Sequence, residues 1–217
     1  MRQLFTLLSV LSITLLIVPQ PAMAEGEPAG DFDYFVLSLS WSPTWCALEG
    51  DVRNSRQCDD GAAFGWVLHG LWPQYEKGWP SYCRSAARAP SRSETGAMAD
   101  IMGTGGAAWY QWKKHGVCSG LAAPDYFALA RSAYNGIERP PVFRKLDNPV
   151  RLPASVVEQA FLRSNPNLTP DMITITCKQD RIQEARICLT KDLEPRQCGP
   201  DVIRDCSQTR ALFDPIR

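Results

Sequence analysis

The chain has 217 residues, 45% of them hydrophobic, which suits one globular domain with a sizeable core. Lys+Arg and Asp+Glu both number 23, so the formal net charge is zero. Proteins that coat nucleic acid with their whole surface are basic, so that class is excluded, and a polyanion would have to be met at a local site.

The first residues bear on the compartment. Arg2 precedes an apolar run from Leu4 to Val18, and Ala22-Met23-Ala24 supplies a small-x-small cleavage pattern. This predicts a secretory signal peptide over residues 1–24 and one folded domain over 25–217, secreted or periplasmic. The run is short for a spanning helix, and no later segment reads as one, so no membrane association is expected after cleavage. Eight cysteines follow, and an even count behind a signal peptide reads as four disulfides. No Cys-x-x-Cys pair and no zinc-like histidine spacing competes with that reading. The count alone leaves the pairing open.

In chain order, Phe32 to Trp41 alternates Phe35, Leu37 and Leu39 with Tyr34, Val36 and Ser38. Apolar character on both sides predicts a central strand, ended by Pro43. Asp51 to Asp60 reads as a polar loop pinned by Cys46 and Cys58. Phe64 to Trp72 is the next strand, stopped by Pro73, with Gly65 and Gly70 inside it. A glycine within a strand marks either a bulge or close approach by another group. Cys83 to Ala89 is a loop. Ser91-Arg92-Ser93-Glu94 has capping-box spacing and opens a helix carrying Met98, Ile101 and Met102 into the core.

Gly103 to Gly106 breaks the chain, and Ala107 to His115 reads as a short helix stopped by Gly116. Ala108 and Trp112 share its buried stripe; Gln111 and His115, four apart, share another. Pro124-Asp125 opens a helix with Phe127, Ala130 and Tyr134 on one face and Asn135-Gly136 as its stop. Arg139 to Pro153 is expected to be an ordered surface connection. Ser155 and Glu158 form a second capping box, before a helix with Val156, Ala160 and Phe161 that ends at Asn165-Pro166. Met172 to Gln179 and Ile182 to Leu189 read as a hairpin turned at Asp180-Arg181, and the rest as an irregular tail held by cysteines.

The two histidines of the chain, His69 and His115, lie in two Trp/Gly-bounded runs. Imidazole titrates near neutrality, so such a pair can divide proton removal and proton donation between them. Lys114 can balance charge that develops on a phosphoryl group between them, and Trp72 and Tyr75 offer faces on which a base can stack. These parts suit cleavage of RNA by its own 2′-hydroxyl without a metal. Taken without further context, packed core histidines are an equally good reading.

His69-Gly70-Leu71-Trp72-Pro73-Gln74 and Trp112-Lys113-Lys114-His115-Gly116-Val117-Cys118 resemble the two active-site segments of the ribonuclease T2 family. Phe32-Asp33-Tyr34-Phe35-Val36-Leu37-Ser38-Leu39-Ser40-Trp41, followed by Pro43-Thr44-Trp45-Cys46, resembles that family's first core strand. The resemblance implies an α+β fold, an antiparallel sheet with helices around it. It implies cleavage of single-stranded RNA through a 2′,3′-cyclic phosphate; the 2′-hydroxyl chemistry calls for no cofactor or metal and excludes DNA, and a monomer is expected. It makes His115 the general base, His69 the general acid and Lys114 the transition-state stabiliser, with Trp72 seating the substrate. It also implies the pairs Cys83–Cys118, Cys46–Cys58, Cys177–Cys206 and Cys188–Cys198. Two positions depart from the family pattern: Gln111 stands where Glu is usual, and Tyr110 where His is frequent. Both keep a hydrogen-bonding group for a phosphoryl oxygen but lose a titrating one. They keep open the alternative of a secreted binding protein on a ribonuclease scaffold that has lost catalysis; a metal-dependent hydrolase is the poorer third reading, for want of ligands.

Overall fold

A computed structural model describes residues 26–217; the expected signal peptide and its junction lie outside the described residues. The expected α+β architecture is found. Among the described residues six strands form one sheet: β1 (Tyr34–Trp41), β2 (Trp66–Gln74), β3 (Val150–Leu152), β4 (Ile173–Lys178), β5 (Arg181–Leu189) and β6 (Ala211–Phe213). The body is the antiparallel set β2-β1-β5-β4. The short β3 and β6 pair with each other and reach β5 at one parallel bridge, Arg181 to Leu212. The helices are α1 (Ser42–Trp45), α2 (Arg92–Gly96), α3 (Ala99–Met102), α4 (Gly105–Lys114), α5 (Ala123–Gly136) and α6 (Ala154–Ser164).

The sequence of β1 explains the layering. It is flanked on both edges, and all eight of its residues are buried. Phe35, Leu37, Leu39 and Trp41 point into the main core, where they meet Tyr126, Phe127 and Ala130 of α5 and Val157 and Phe161 of α6. The alternate residues Tyr34 and Val36 join a smaller cluster with Cys188, Cys198 and Val202. Ser38 and Ser40 follow them on that second face. One side of the sheet is thus sealed by helices, and the other is polar at its middle. The cleft described below lies there.

Several local expectations are corrected. Pro73 does not stop β2, which runs to Gln74. β2 is an edge strand paired only with β1, and an edge tolerates a residue that lacks an N–H. α4 begins at Gly105 rather than Ala107, because the Thr104 hydroxyl accepts from the Ala107 amide at 3.1 Å and caps the helix early. The Ser155 capping box is absent: α6 starts at Ala154, directly after an extended Pro153, with no side-chain cap. Its buried stripe is Ala154, Val157 and Phe161, whereas Val156 is exposed. Fully burying a valine is worth roughly 1.5–3 kcal/mol, and the spacing to Phe161 awards that to Val157. The hairpin turns at Gln179-Asp180, both at positive φ, one residue before the expected turn.

β3 and β6 were not expected. β6 is held by aromatic packing rather than by length: Phe213 stacks on Trp41 with ring centroids 4.4 Å apart, and the Trp41 indole donates to the Asp214 carbonyl at 3.0 Å. Aromatic pairs add roughly 0.5–1.5 kcal/mol beyond burial, enough to fix a three-residue strand on a preformed core. Other expectations stand. Ser91 and Glu94 form the reciprocal capping box, and Met98, Ile101 and Met102 are buried. All four disulfides pair as the resemblance implies: Cys46–Cys58, Cys83–Cys118, Cys177–Cys206 and Cys188–Cys198.

Candidate active site

The site begins with an irregularity in β2. Ser38 of β1 pairs with Gly70, and the next residue, Leu39, pairs with Leu68. His69 is therefore an extra residue, a β-bulge, with no partner of its own across the ladder. The bulge resets the alternation of β2. Leu68 and Leu71, three apart, both enter the helix-side core, while His69 and Trp72 line the cleft on the opposite face. Both sequence readings of Gly70 hold at once, since it sits at the bulge and another group closes on it. A Cβ there would meet Trp72 Nε1 at 2.2 Å and Gln111 Oε1 at 2.5 Å.

Across the cleft, β5 supplies an ion pair that sequence reasoning missed, the buried Glu184 and the half-buried Arg186. Glu184 Oε1 lies 2.6 Å from His69 Nδ1, and Glu184 Oε2 accepts from Arg186 Nε and Nη2 at 2.9 and 2.7 Å. Burial pushes the Glu184 carboxyl up, but the hydrogen bond and charge of His69 together with the Arg186 guanidinium outweigh that and hold it down to about 2. The Arg186 guanidinium also lies over the Trp72 ring, 5.4 Å from its centroid.

α4 brings the second segment. Ala108 and Trp112 are buried in the core as expected, which turns Gln111 and Lys114 toward the cleft. His115 is the C-terminal cap, and Gly116 follows where a Cβ would strike Tyr126 at 2.6 Å and Trp112 at 2.8 Å. The Cys83–Cys118 disulfide and the bond from the Tyr82 amide to the Lys114 carbonyl at 2.8 Å tie this end to the loop after β2. His115 is only 7% exposed. Burial first, then the charges of Lys114 and His69, push its imidazole down to about 3. Its Nδ1 is buried with no hydrogen-bond partner, so a second N–H there would find no acceptor. The helix dipole at this terminus favours the cation, but desolvation prevails and His115 is neutral at neutral pH.

Trp72 stands between the two imidazoles, with ring centroids 5.1 Å from His69 and 5.1 Å from His115. Its indole Nε1 donates to Gln111 Oε1 at 2.8 Å. The cleft has a lobe of about 460 Å³ containing His69, Trp72, Tyr110, Gln111, Lys114 and His115, with Trp79 and Asp201 at its wall. A second lobe of about 730 Å³ adjoins it at His69, Tyr110, Gln111 and Glu184. Six of the seven expected site residues are thus brought together. Tyr75 is not: its hydroxyl donates to Glu27 at 2.9 Å, outside both lobes. It cannot stack a base in this cleft. Among the described residues no group of three or more His, Cys, Asp or Glu could hold a metal ion.

Glu184 and Arg186 left little mark in the sequence. Their only signal is parity. From Ala185 to Leu189 the residues Ala185, Ile187 and Leu189 are core, which sets Glu184 and Arg186 on the other face beside Ser38 and Ser40; Ile182, of the same parity, is core because the register shifts between it and Glu184.

The model of the ribonuclease T2 family matches residues 32–198. A ribonuclease of Aeromonas hydrophila is 39% identical over 124 residues, 56% of this chain and 54% of the relative. A probable ribonuclease of Haemophilus influenzae is 32% identical over 120 residues, 50% of this chain and 44% of that one. The chain spans about half the length of these relatives. Among solved structures, an RNase-related protein from Calystegia sepium superposes with a TM-score of 0.67 at 22% identity, covering 86% of this chain and 98% of that one. RNase NT in complex with 5′-AMP gives a TM-score of 0.63 at 21% identity, covering 86% and 100%.

Proposed function

This chain belongs to the ribonuclease T2 family, and from that premise we propose that it is a secreted or periplasmic endoribonuclease that cleaves single-stranded RNA through a 2′,3′-cyclic phosphate. The observation that carries the reading is the opposite setting of two imidazoles on one cleft. His115 is desolvated and neutral, ready to take a proton. His69 is half-exposed, with its Nδ1 2.6 Å from the Glu184 carboxylate.

In the proposed reaction His115 removes the 2′-hydroxyl proton as the 2′-oxygen bonds to phosphorus. The bond from phosphorus to the 5′-oxygen breaks, and that oxygen takes the proton of His69. Lys114, beside His115 on the cleft wall, offsets charge on the non-bridging oxygens. Trp72 supplies a rigid wall between the two proton-transfer groups, fixed at its far edge by Gln111. Tyr110, 49% exposed at the junction of the two lobes, offers its ring and hydroxyl to the strand. The side chains present suffice for every proton transfer, so the reading assigns no cofactor, and the working form is a monomer.

A chain lacking the 2′-hydroxyl offers no nucleophile, so DNA is not a substrate. The test is cleavage of an RNA and a DNA strand of one sequence in excess chelator, with product analysis from a dinucleotide. A cyclic phosphate from RNA alone is expected. Equal cutting of DNA, or loss of activity to the chelator, overturns the reading, and folded protein that binds RNA without cutting it is the inactive scaffold instead.

A further inference from the structure

Glu184 has no assigned role, yet it is the most buried carboxylate on the cleft, 1% exposed, and both of its oxygens are engaged. The Arg186 fork occupies Oε2 through two donors and fixes the plane of the carboxylate. Oε1 is left to His69 alone. An ionised carboxylate only accepts, so the hydrogen between them sits on His69 Nδ1. That leaves Nε2 as the ring nitrogen that faces the cleft.

We infer that Glu184 is a positioning residue for His69: it fixes the imidazole as the Nδ1–H tautomer, aims Nε2 at the leaving oxygen, and holds the proton that this oxygen takes. The inference rests on the reading of His69 as the general acid. During the step the Nε2 proton passes to the 5′-oxygen as its bond to phosphorus breaks. His69 becomes neutral while keeping its Nδ1 hydrogen, and Glu184 stays a carboxylate throughout. A bulge residue needs such a partner, because His69 lies outside the regular ladder and nothing else in β2 fixes its ring. Trp72 meets it edge-on from one side, and Glu184 anchors it from below. The carboxylate usual for this family at position 111 on α4 is an amide here, bonded to Trp72. The carboxylate that touches His69 comes from β5 instead.

The charged groups that line the two lobes with His69 are Glu184 and Arg186 on β5, Lys114 and His115 at the end of α4, Asp201 at the wall of the smaller lobe, and Glu49, Arg53 and Lys178 at the rim of the larger lobe. Glu184 alone touches it. In Glu184→Gln the Arg186 fork claims the amide oxygen, which turns the NH₂ toward His69 Nδ1. An NH₂ cannot accept, so the variant selects the Nε2–H tautomer and disfavours the imidazolium.

The experiment has two arms on the full-length protein. Nitrogen-15 imidazole spectra of the wild type across the titration should show His69 neutral as the Nδ1–H form; an Nε2–H form overturns the inference without any variant. The pH profile of kcat/KM for a dinucleotide should show the alkaline limb of Glu184→Gln at lower pH by about one unit, with turnover down roughly 10²-fold. The acid limb should stay in place. A role confined to packing would lower the folded fraction but leave tautomer and limb unmoved, and that result overturns the inference. A wild type that cuts no RNA defeats the underlying functional reading, and the first arm distinguishes the two failures.

Discussion

The Trp72 indole donates to the Gln111 side-chain oxygen at 2.8 Å, so the amide one helical turn before His115 is bonded to β2 and not to the imidazole. A glutamate at this position would keep the indole bond and add a negative charge one ring away from His115. Gln111→Glu is therefore expected to raise the His115 pKa and move the acid limb of kcat/KM upward by less than about one unit. Gln111→Leu strands the part-buried indole N–H and should cost about 1 kcal/mol, with KM for a dinucleotide raised. A shift of the alkaline limb alone in Gln111→Glu would reverse the base and acid roles.

With His115 as the proposed general base, its desolvation should set the wild-type acid limb. A base held down to about 3 stays unprotonated far into the acid range, so kcat/KM should persist well below the ordinary imidazole value of about 6.5. Initial rates on a dinucleotide from about pH 3 to 9 decide this. An acid limb at or above the ordinary value would mean that another group is the base.

The same depression makes stability depend on pH. The unfolded chain protonates His115 below about pH 6.5 and the folded chain does not, so stability is full above that value and is lost as pH falls toward the folded pKa. Between about pH 6.5 and 4.5 this amounts to up to about 3 kcal/mol. Glu184, also held low, adds its own loss only below the ordinary carboxyl range. Urea unfolding at both pH values should show this slope in the wild type and a flatter one in His115→Asn. Equal slopes would place the imidazole in water.

Replacing either imidazole should abolish turnover and keep the fold. His69→Ala and His115→Ala each remove a proton-transfer group worth ~10² to 10⁴ in rate. His69→Ala should unfold at a lower urea concentration than the wild type, because the bulge contributes no ladder pair but the buried Glu184 Oε1 loses its partner. A folded variant that kept more than about a tenth of the rate would take that histidine out of the reaction.

The Cys83–Cys118 bond holds the segment that follows His115. Cys83→Ala combined with Cys118→Ala should lower stability by about 2–5 kcal/mol. Turnover should also fall in the folded fraction, since Tyr82 and Lys114 are joined across the same junction. Unchanged turnover at full folding would show that α4 alone positions His115.

Legibility followed the range of the interactions. β1 was readable because its apolar residues on both faces state that it is central. His69, Trp72, Gln111 and His115 were readable because two short runs carry them in a recognisable order. Glu184 was not, because its meaning lies in the pairing of Ser40 with Glu184 and Ser38 with Arg186, a register no local pattern encodes. Tyr75 was misplaced for a related reason. Strand alternation beyond Trp72 depends on the bulge, and the Glu27 partner of Tyr75 is 48 residues away. The phase of α6 slipped by one residue because Val156 and Val157 are adjacent and chemically identical; only the position of Phe161 and the core decides between them.

His69 is supernumerary in the ladder, and this separates the fold from its chemistry at a single letter. Remove that one residue from the chain and Leu68 and Gly70 become consecutive, each still opposite the β1 residue it faces now. Every cross-strand pair of β1 with β2 survives, while the buried Glu184 Oε1 loses its partner and the cleft keeps Trp72, Lys114 and His115. On the proposed mechanism, the deletion of one residue removes the proton donor while the pairing of β1 with β2 stays intact.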